Sequence, residues 1–363
     1  MKKNKKIKAY LLRLLTNKKN SSFDIKKSKK VLILKYDRIG DMVITTPVFR
    51  ELKKSCPNIE INVLASQANH MILKNNPYID SVYLNNKNNI FFDLPILFEL
   101  RKKKIDVCFE FDHSVVRHAI IRLKIINPKK VISVKKAGRY GLHGSNLQIY
   151  DYYTEKPKDK HFRDIWLATL KPFNVKPKSK RYDIFCDEIQ NNIANHFLSQ
   201  YPNKLLVGIN LEGTVKGKKI HYEELVNICQ GLFNINSKIQ IIILSTPQKE
   251  QRVKEMIINM GLDYVSIAYR TNNILDVSAL IDKLHLIITP DTAIAHIAST
   301  FNIPVITIHE NNNESYKLFA PTSDLNRTVF SSKRNSLMGF SVDSVLVHAS
   351  DLMKLIKSEN RAI

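Results

Sequence analysis

The run Val31-Leu32-Ile33-Leu34 is continuously apolar rather than alternating, and it breaks at once into Asp37-Arg38-Ile39-Gly40-Asp41, followed by Thr45-Thr46-Pro47 and on toward Arg50 and Lys54. A short branched run without alternation suits a parallel strand covered on both faces. The stretch therefore predicts a buried strand, a tight turn and a helix. Gly40 permits a close approach or an unusual backbone angle, and Asp41 stands where it can cap the helix. In an open α/β sheet the ligand crevice lies beyond the carboxyl ends of the strands, so Asp37 and Asp41 would face it.

The same alternation recurs along the chain. Ile61–Leu64, Ser81–Leu84, Ile105–Phe109 and Val131–Val134 read as further strands, with helices over Leu94–Lys103, Ser114–Lys124 and His161–Phe173. Val175-Lys176-Pro177-Lys178-Ser179-Lys180 has the composition of a linker. The pattern then restarts with strands at Leu205–Asn210, Ile239–Leu244, Leu284–Ile288 and Pro304–Ile308. Helices pass through Leu225 and Leu232, and cover Gln248–Met260, Val277–Lys283, Asp291–Thr300 and Ser344–Ile356. Strands alternating with helices of this length argue a doubly wound parallel sheet in each half. At 363 residues two domains are expected. The predicted division is a basic segment 1–30, an α/β domain 31–175, a second α/β domain 176–335 and a terminal helix 336–363.

Charge is the compositional outlier, at +24 with 57 Lys and Arg against 33 Asp and Glu. Such a field attracts polyanions without saying which. The first thirty residues hold twelve Lys or Arg against the single acid Asp24, and Ile7, Leu11, Leu14 and Leu15 fall at helical spacing. That predicts either a basic amphipathic helix able to rest on an anionic membrane or a solvated tail. No apolar run approaches a membrane span and no signal peptide is evident, so a cytoplasmic, soluble or peripheral protein is expected. Cys56, Cys108, Cys186 and Cys229 lie far apart and suit free thiols in a reducing compartment. His70, His113, His118 and His161 share no metal spacing, and no Walker A, GxGxxG, HExxH or serine elbow occurs, so no metal or cofactor is expected.

Arg38-x-Gly40-Asp41 with Thr45-Thr46-Pro47, then Asn76-Pro77-Tyr78-Ile79-Asp80, and in the second half Thr289-Pro290-Asp291-Thr292-Ala293-Ile294-Ala295-His296, together resemble glycosyltransferase family 9, the ADP-heptose:lipopolysaccharide heptosyltransferases. The resemblance runs from about Val31 to Pro321. It implies a GT-B fold, two doubly wound Rossmann-like domains facing a central cleft, the first binding acceptor and the second the nucleotide-sugar donor. It also implies an inverting transfer of heptose from ADP-heptose to the lipopolysaccharide core, at the inner face of the inner membrane, with Asp41 as general base.

By the same resemblance the donor would be held by Asn210, Thr214, Lys218, Lys219, Thr246, Glu250, Asp291, Thr292, Ala293 and His296. The helix start at Asp291-Thr292 independently suits a diphosphate, because unpaired N–H groups and the helix dipole favour an anion. Arg38, Arg117, Arg122 and Arg139 are the candidates for the acidic acceptor. Three departures from the family pattern stand out. Ala293 replaces a usual Gly, His221 replaces a usual Trp after the lysine, and His309-Glu310 stands where a Gly-Pro turn is common. Competing readings are a GT-B transferase with another nucleotide sugar, a nucleotide-sugar epimerase, and a non-catalytic polyanion binder. Nucleic acid is disfavoured because the basic clusters lack interleaved aromatic residues.

Overall fold

In the computed structural model of the chain, residues 10, 13, 14, 16, 21–85, 90–139, 142, 147–157, 159–213 and 217–358 are described. The basic amphipathic segment predicted at Ile7, Leu11 and Leu15 lies outside them, as does Thr214. The chain divides into two compact units, Met1–Lys180 and Arg181–Ile363.

The first unit is a parallel sheet flanked by helices. Its elements are β1 (Lys30–Leu34), α1 (Ile39–Ser55), β2 (Glu60–Ser66), β3 (Ser81–Asn85), α2 (Ile90–Lys102), β4 (Val107–Glu110), α3 (Arg117–Ile126), β5 (Lys130–Val134), β6 (Tyr152–Thr154) and α4 (Phe162–Ala168). The strand order is β3-β2-β1-β4-β5-β6. β1 pairs in parallel with β2 on one side and β4 on the other, so the chain changes direction across the sheet at the β1/β4 edge. In open α/β sheets that is the point beyond whose strand ends ligands bind. Val31, Leu32 and Ile33 are fully buried, as their unbroken apolar run requires.

Two local expectations are corrected. Arg38, not Asp41, is the N-cap of α1, and Asp41 sits in the first turn, where its carboxylate accepts a hydrogen bond from the Arg38 backbone amide. The helix expected over 161–173 ends at Ala168, and a separate 3-10 turn follows at Lys171–Phe173. Pro172 lacks the amide that a continuing helix would use.

Pro47 lies inside α1, where it removes the amide that would bond Val43. The neighbouring hydroxyl fills the gap, Thr46 Oγ1 donating to the Val43 carbonyl at 2.7 Å. Further along α1, Arg50 donates to Ser179 O at 3.0 Å, and Glu51 accepts from the Lys178 amide at 2.6 Å. These bonds fasten the segment read as a linker onto the first unit.

The second unit repeats the plan with α5 (Glu188–Leu198), β7 (Leu205–Asn210), α6 (Tyr222–Ile235), β8 (Ile239–Leu244), α7 (Glu250–Met260), β9 (Val265–Ile267), α8 (Ile274–Ile281), β10 (Leu286–Pro290), α9 (Ala293–Thr300), β11 (Val305–His309), α10 (Asn313–Phe319), β12 (Asn326–Phe330) and α11 (Val342–Ser358). Its order, β12-β11-β10-β7-β8-β9, is again all parallel and changes direction between β7 and β10. A core of Val207, Ile209, Ile241, Ile243, Leu286 and Ile306 fills one face. α11 packs on α6 where Gly231 has no side chain: a Cβ there would lie 2.3 Å from Leu346 Cδ1. No helix among the described residues is long and apolar enough to cross a membrane.

Candidate functional site

In the first unit the site is assembled by three loops leaving β1, β4 and β5. Lys35 follows β1 directly and is almost fully buried, with 2% of its side chain exposed. It donates to Asp37 at 2.9 Å and lies 3.9 Å from Asp41 Oδ1. Its ammonium stands over the Trp166 ring, 4.3 Å from the centroid. Burial opposes the charge, but Asp41 and Asp37 outweigh it and hold Lys35 above the ordinary lysine value. Asn69 fixes the loop by donating to the carbonyls of Lys35 and Asp37 at 3.2 and 3.4 Å.

Asp41 keeps 17% of its side chain exposed. Burial, with Asp37 adding repulsion, raises it above the ordinary carboxylate range, while Lys35 and Arg38 pull the other way. A carboxylate of this kind is a stronger proton acceptor than a surface aspartate.

Beside it, β4 ends in Glu110, whose Oε1 accepts from the Asp112 amide at 2.8 Å. Lys136 bonds both the Glu110 carboxylate and the Asp112 carbonyl. Burial, together with Glu110 and Asp37, pushes Asp112 well above the carboxylate range. His113 stacks on Phe162 at 3.9 Å, and burial lowers it to about 3. The loops after β4 and β5 are tied by Ala137 N donating to His113 O at 2.7 Å. Arg117 and Arg139 therefore emerge, exposed, from joined loops. Sequence reasoning missed Lys35, Glu110 and Asp112, although charged residues placed directly after apolar strands were the signal that could have found them.

Of the four arginines, Arg38 is exposed at the start of α1. Arg122 is a different case: it is 1% exposed, bonds Asp93 through Nη2 at 2.6 Å, and lies 4.7 Å from the Tyr36 ring centroid. Its fork is used inside the fold, which corrects its assignment as an acceptor ligand.

In the second unit the site lies at the ends of β7, β10 and β11. Asn210 closes β7 and donates to Thr289 Oγ1 at 3.0 Å and Thr292 Oγ1 at 3.1 Å. Thr292, not Asp291, caps α9 by accepting from the Ile294 amide at 3.3 Å. The Asp291 carboxylate, one residue before the cap, has Lys218 as a partner instead. Gly213 approaches Thr292 so closely that a Cβ would lie 2.7 Å from its Cγ2. Ala293 begins α9, and His296 one turn on is 4% exposed and lowered by burial to about 4.

Parallel pairing of Pro290 with Ile308 sets Asp291 beside His309-Glu310. His309 Nδ1 is 3.9 Å from Asp291 Oδ2. Lys218 lies 3.3 Å from Asp291 and 3.4 Å from Glu310. Burial would raise Asp291, but His309, Lys218 and His296 outweigh it and hold the acid below its usual range. Lys219 sits in a bridge opposite Glu212, and among the described residues no carboxylate pairs with it. Thr246 is exposed after β8. Glu250 opens α7 with its carboxylate on Lys254 at 2.7 Å. The Glu250 carboxylate also lies 3.8 Å from Arg270.

Residues 100–347 match the sequence profile of glycosyltransferase family 9 (heptosyltransferase). Lipopolysaccharide heptosyltransferase 1 of Campylobacter coli is 22% identical over 351 residues, spanning 90% of this chain and 98% of its own length. Among solved structures, a family 9 glycosyl transferase from Veillonella parvula is similar with a TM-score of 0.74 at 16% identity, covering 93% of this chain and 100% of its own. The E. coli heptosyltransferase WaaC with ADP reaches 0.68 at 16% identity, over 90% of this chain and 98% of its own. At such identities the structural likeness is one of fold.

Proposed function

The chain belongs to glycosyltransferase family 9 and is a glycosyltransferase, and on that premise we propose that it transfers heptose from ADP-heptose to the lipopolysaccharide core with inversion, Asp41 acting as general base. The observation that carries the proposal is the setting of Asp41: a partly exposed carboxylate after the β1 turn, 3.9 Å from the Lys35 ammonium and raised by burial, with Lys35 opposing that rise. Asp41 takes the proton of the acceptor hydroxyl as that oxygen attacks the anomeric carbon. The nucleoside diphosphate departs as an anion and needs no strong acid, only preorganised positive charge. The start of α9 and Lys219 supply that charge, so the reaction is proposed to run without a metal. A lipopolysaccharide acceptor and an ADP donor are supported by the Campylobacter relative's name and by the ADP in the E. coli structure.

Arg38, Arg117 and Arg139 are proposed to meet the acidic groups of the acceptor. Association with the inner face of the inner membrane is supported by the charge of +24 and by Phe91, Phe92 and Phe98, all exposed on α2. The deciding experiment is Asp41→Asn. Transfer should fall by about 10²–10⁴-fold, while ADP affinity measured by calorimetry stays the same. Retained turnover in that variant would remove the base assignment, and no turnover by the wild-type chain with any nucleotide sugar would favour a binding protein.

A further inference from the structure

The loop after β5 meets the end of β4 through an ion pair shut off from water: the Lys136 and Glu110 side chains are 0% and 1% exposed. Glu110 Oε1 accepts from the Asp112 amide at 2.8 Å, and Oε2 takes Lys136, which also donates to the Asp112 carbonyl. Ser133 Oγ donates to the Glu110 carbonyl at 2.6 Å, and the Lys136 ammonium lies 5.2 Å from the Tyr150 ring centroid. Taking two charges out of water costs about as much as their attraction returns, so apolar side chains of similar size would hold these loops together equally well. What the pair adds is direction, because each bond joins particular atoms in a low-dielectric interior.

Two arginines emerge just past it. The Val115 and Ala137 amides bond across the loops to the Ala137 and His113 carbonyls at 3.4 and 2.7 Å, and Arg117 opens α3 two residues after Val115. Arg139 stands three residues after Lys136. Its backbone is bonded both ways to Leu142, at 2.9 and 3.0 Å, and Leu142 is fully buried. The backbone separation of Arg117 and Arg139 is therefore set where Glu110 meets Lys136, at side chains too deeply buried to reach a substrate.

We infer that Glu110 and Lys136 are positioning residues for the acceptor, their ion pair fixing the spacing of Arg117 and Arg139 and hence the fit of the acceptor's acidic groups. This rests on the proposed acceptor role of the two arginines and adds to it what holds them in register.

The test is steady-state kinetics on the full chain with ADP-heptose as donor and heptose-free lipopolysaccharide as acceptor. The variant is Glu110→Gln with Lys136→Met, which leaves no buried charge unpaired and keeps an oxygen for the Asp112 amide. Its melting temperature should stay within about 4 °C of wild type, while the acceptor KM rises about tenfold or more. ADP affinity, measured by calorimetry, should change by less than about twofold. A purely structural role would lower the melting temperature and leave both constants alone. An unchanged acceptor KM in the folded variant, or an equal loss of ADP affinity, overturns the inference. Should the variant not fold, amide exchange in the wild-type chain decides: the Asp112 and Ala137 amides should be protected to within about tenfold of those in β4, and exchange at the rate of an open loop overturns the clamp. An unchanged acceptor KM in Arg117→Ala and Arg139→Ala overturns the arginine reading and the inference together. A rise there without one in the paired variant overturns the positioning role only.

Discussion

Asp41 is governed by opposed neighbours: desolvation and Asp37 raise it, Lys35 and Arg38 lower it. The balance gives a direction for the pH dependence. As pH falls through the raised value, Asp41 gains a proton and loses its function as base, so the acid limb of kcat/KM lies above the ordinary aspartate range. Lys35→Met removes a lowering influence, and that limb should move to still higher pH; a limb that stays put would show that Lys35 does not act on Asp41. The arginines separate in the same way. Asp93→Ala strands the buried Arg122 charge and should cost about 3–5 kcal/mol, read from the urea midpoint. Arg117→Ala and Arg139→Ala should instead raise the acceptor KM with little change in that midpoint.

Among the elements, Thr292 shows how one side chain serves both helix and site. It caps α9 and bonds Asn210 at 3.1 Å, so Thr292→Val should cost about 1 kcal/mol of stability and weaken ADP binding. An unchanged melting temperature would show that the cap is dispensable. The central strands were legible from sequence because β1, β7, β8 and β10 are mostly apolar and almost wholly buried. Elements at the margins were not. α5 exposes Ile189 at 70% and Ile193 at 44%, which blurs its amphipathic stripe, although the Asp187–Gln190 capping box would have announced its start. β6 and β9 are three residues each and lie at sheet edges, too short for any period to register. Of the site, Asp41 and the Asp291–His296 turn were readable from motifs. The Lys218–Glu310 contact was not, because it depends on the register of β10 against β11.

For the molecule as a whole, the charge of +24 predicts behaviour at a membrane. The chain should sediment with vesicles containing phosphatidylglycerol at about 50 mM salt and be released near 500 mM, where the Debye length falls to roughly half its value at 0.1 M. Replacing Phe91, Phe92 and Phe98 with Ser should weaken binding at about 50 mM salt. Loss with salt but no effect of the triple replacement would assign attachment to charge alone.

Pro47 and Thr46 carry a consequence of heredity. The threonine hydroxyl stands in for the amide that the proline lacks, so neither residue is free to drift by itself. Descendants that exchange Pro47 for alanine recover an ordinary backbone bond to the Val43 carbonyl. Those that keep the proline should retain a hydroxyl one position earlier. The two sites are expected to vary as one character in any lineage that keeps Asp41 on this helix.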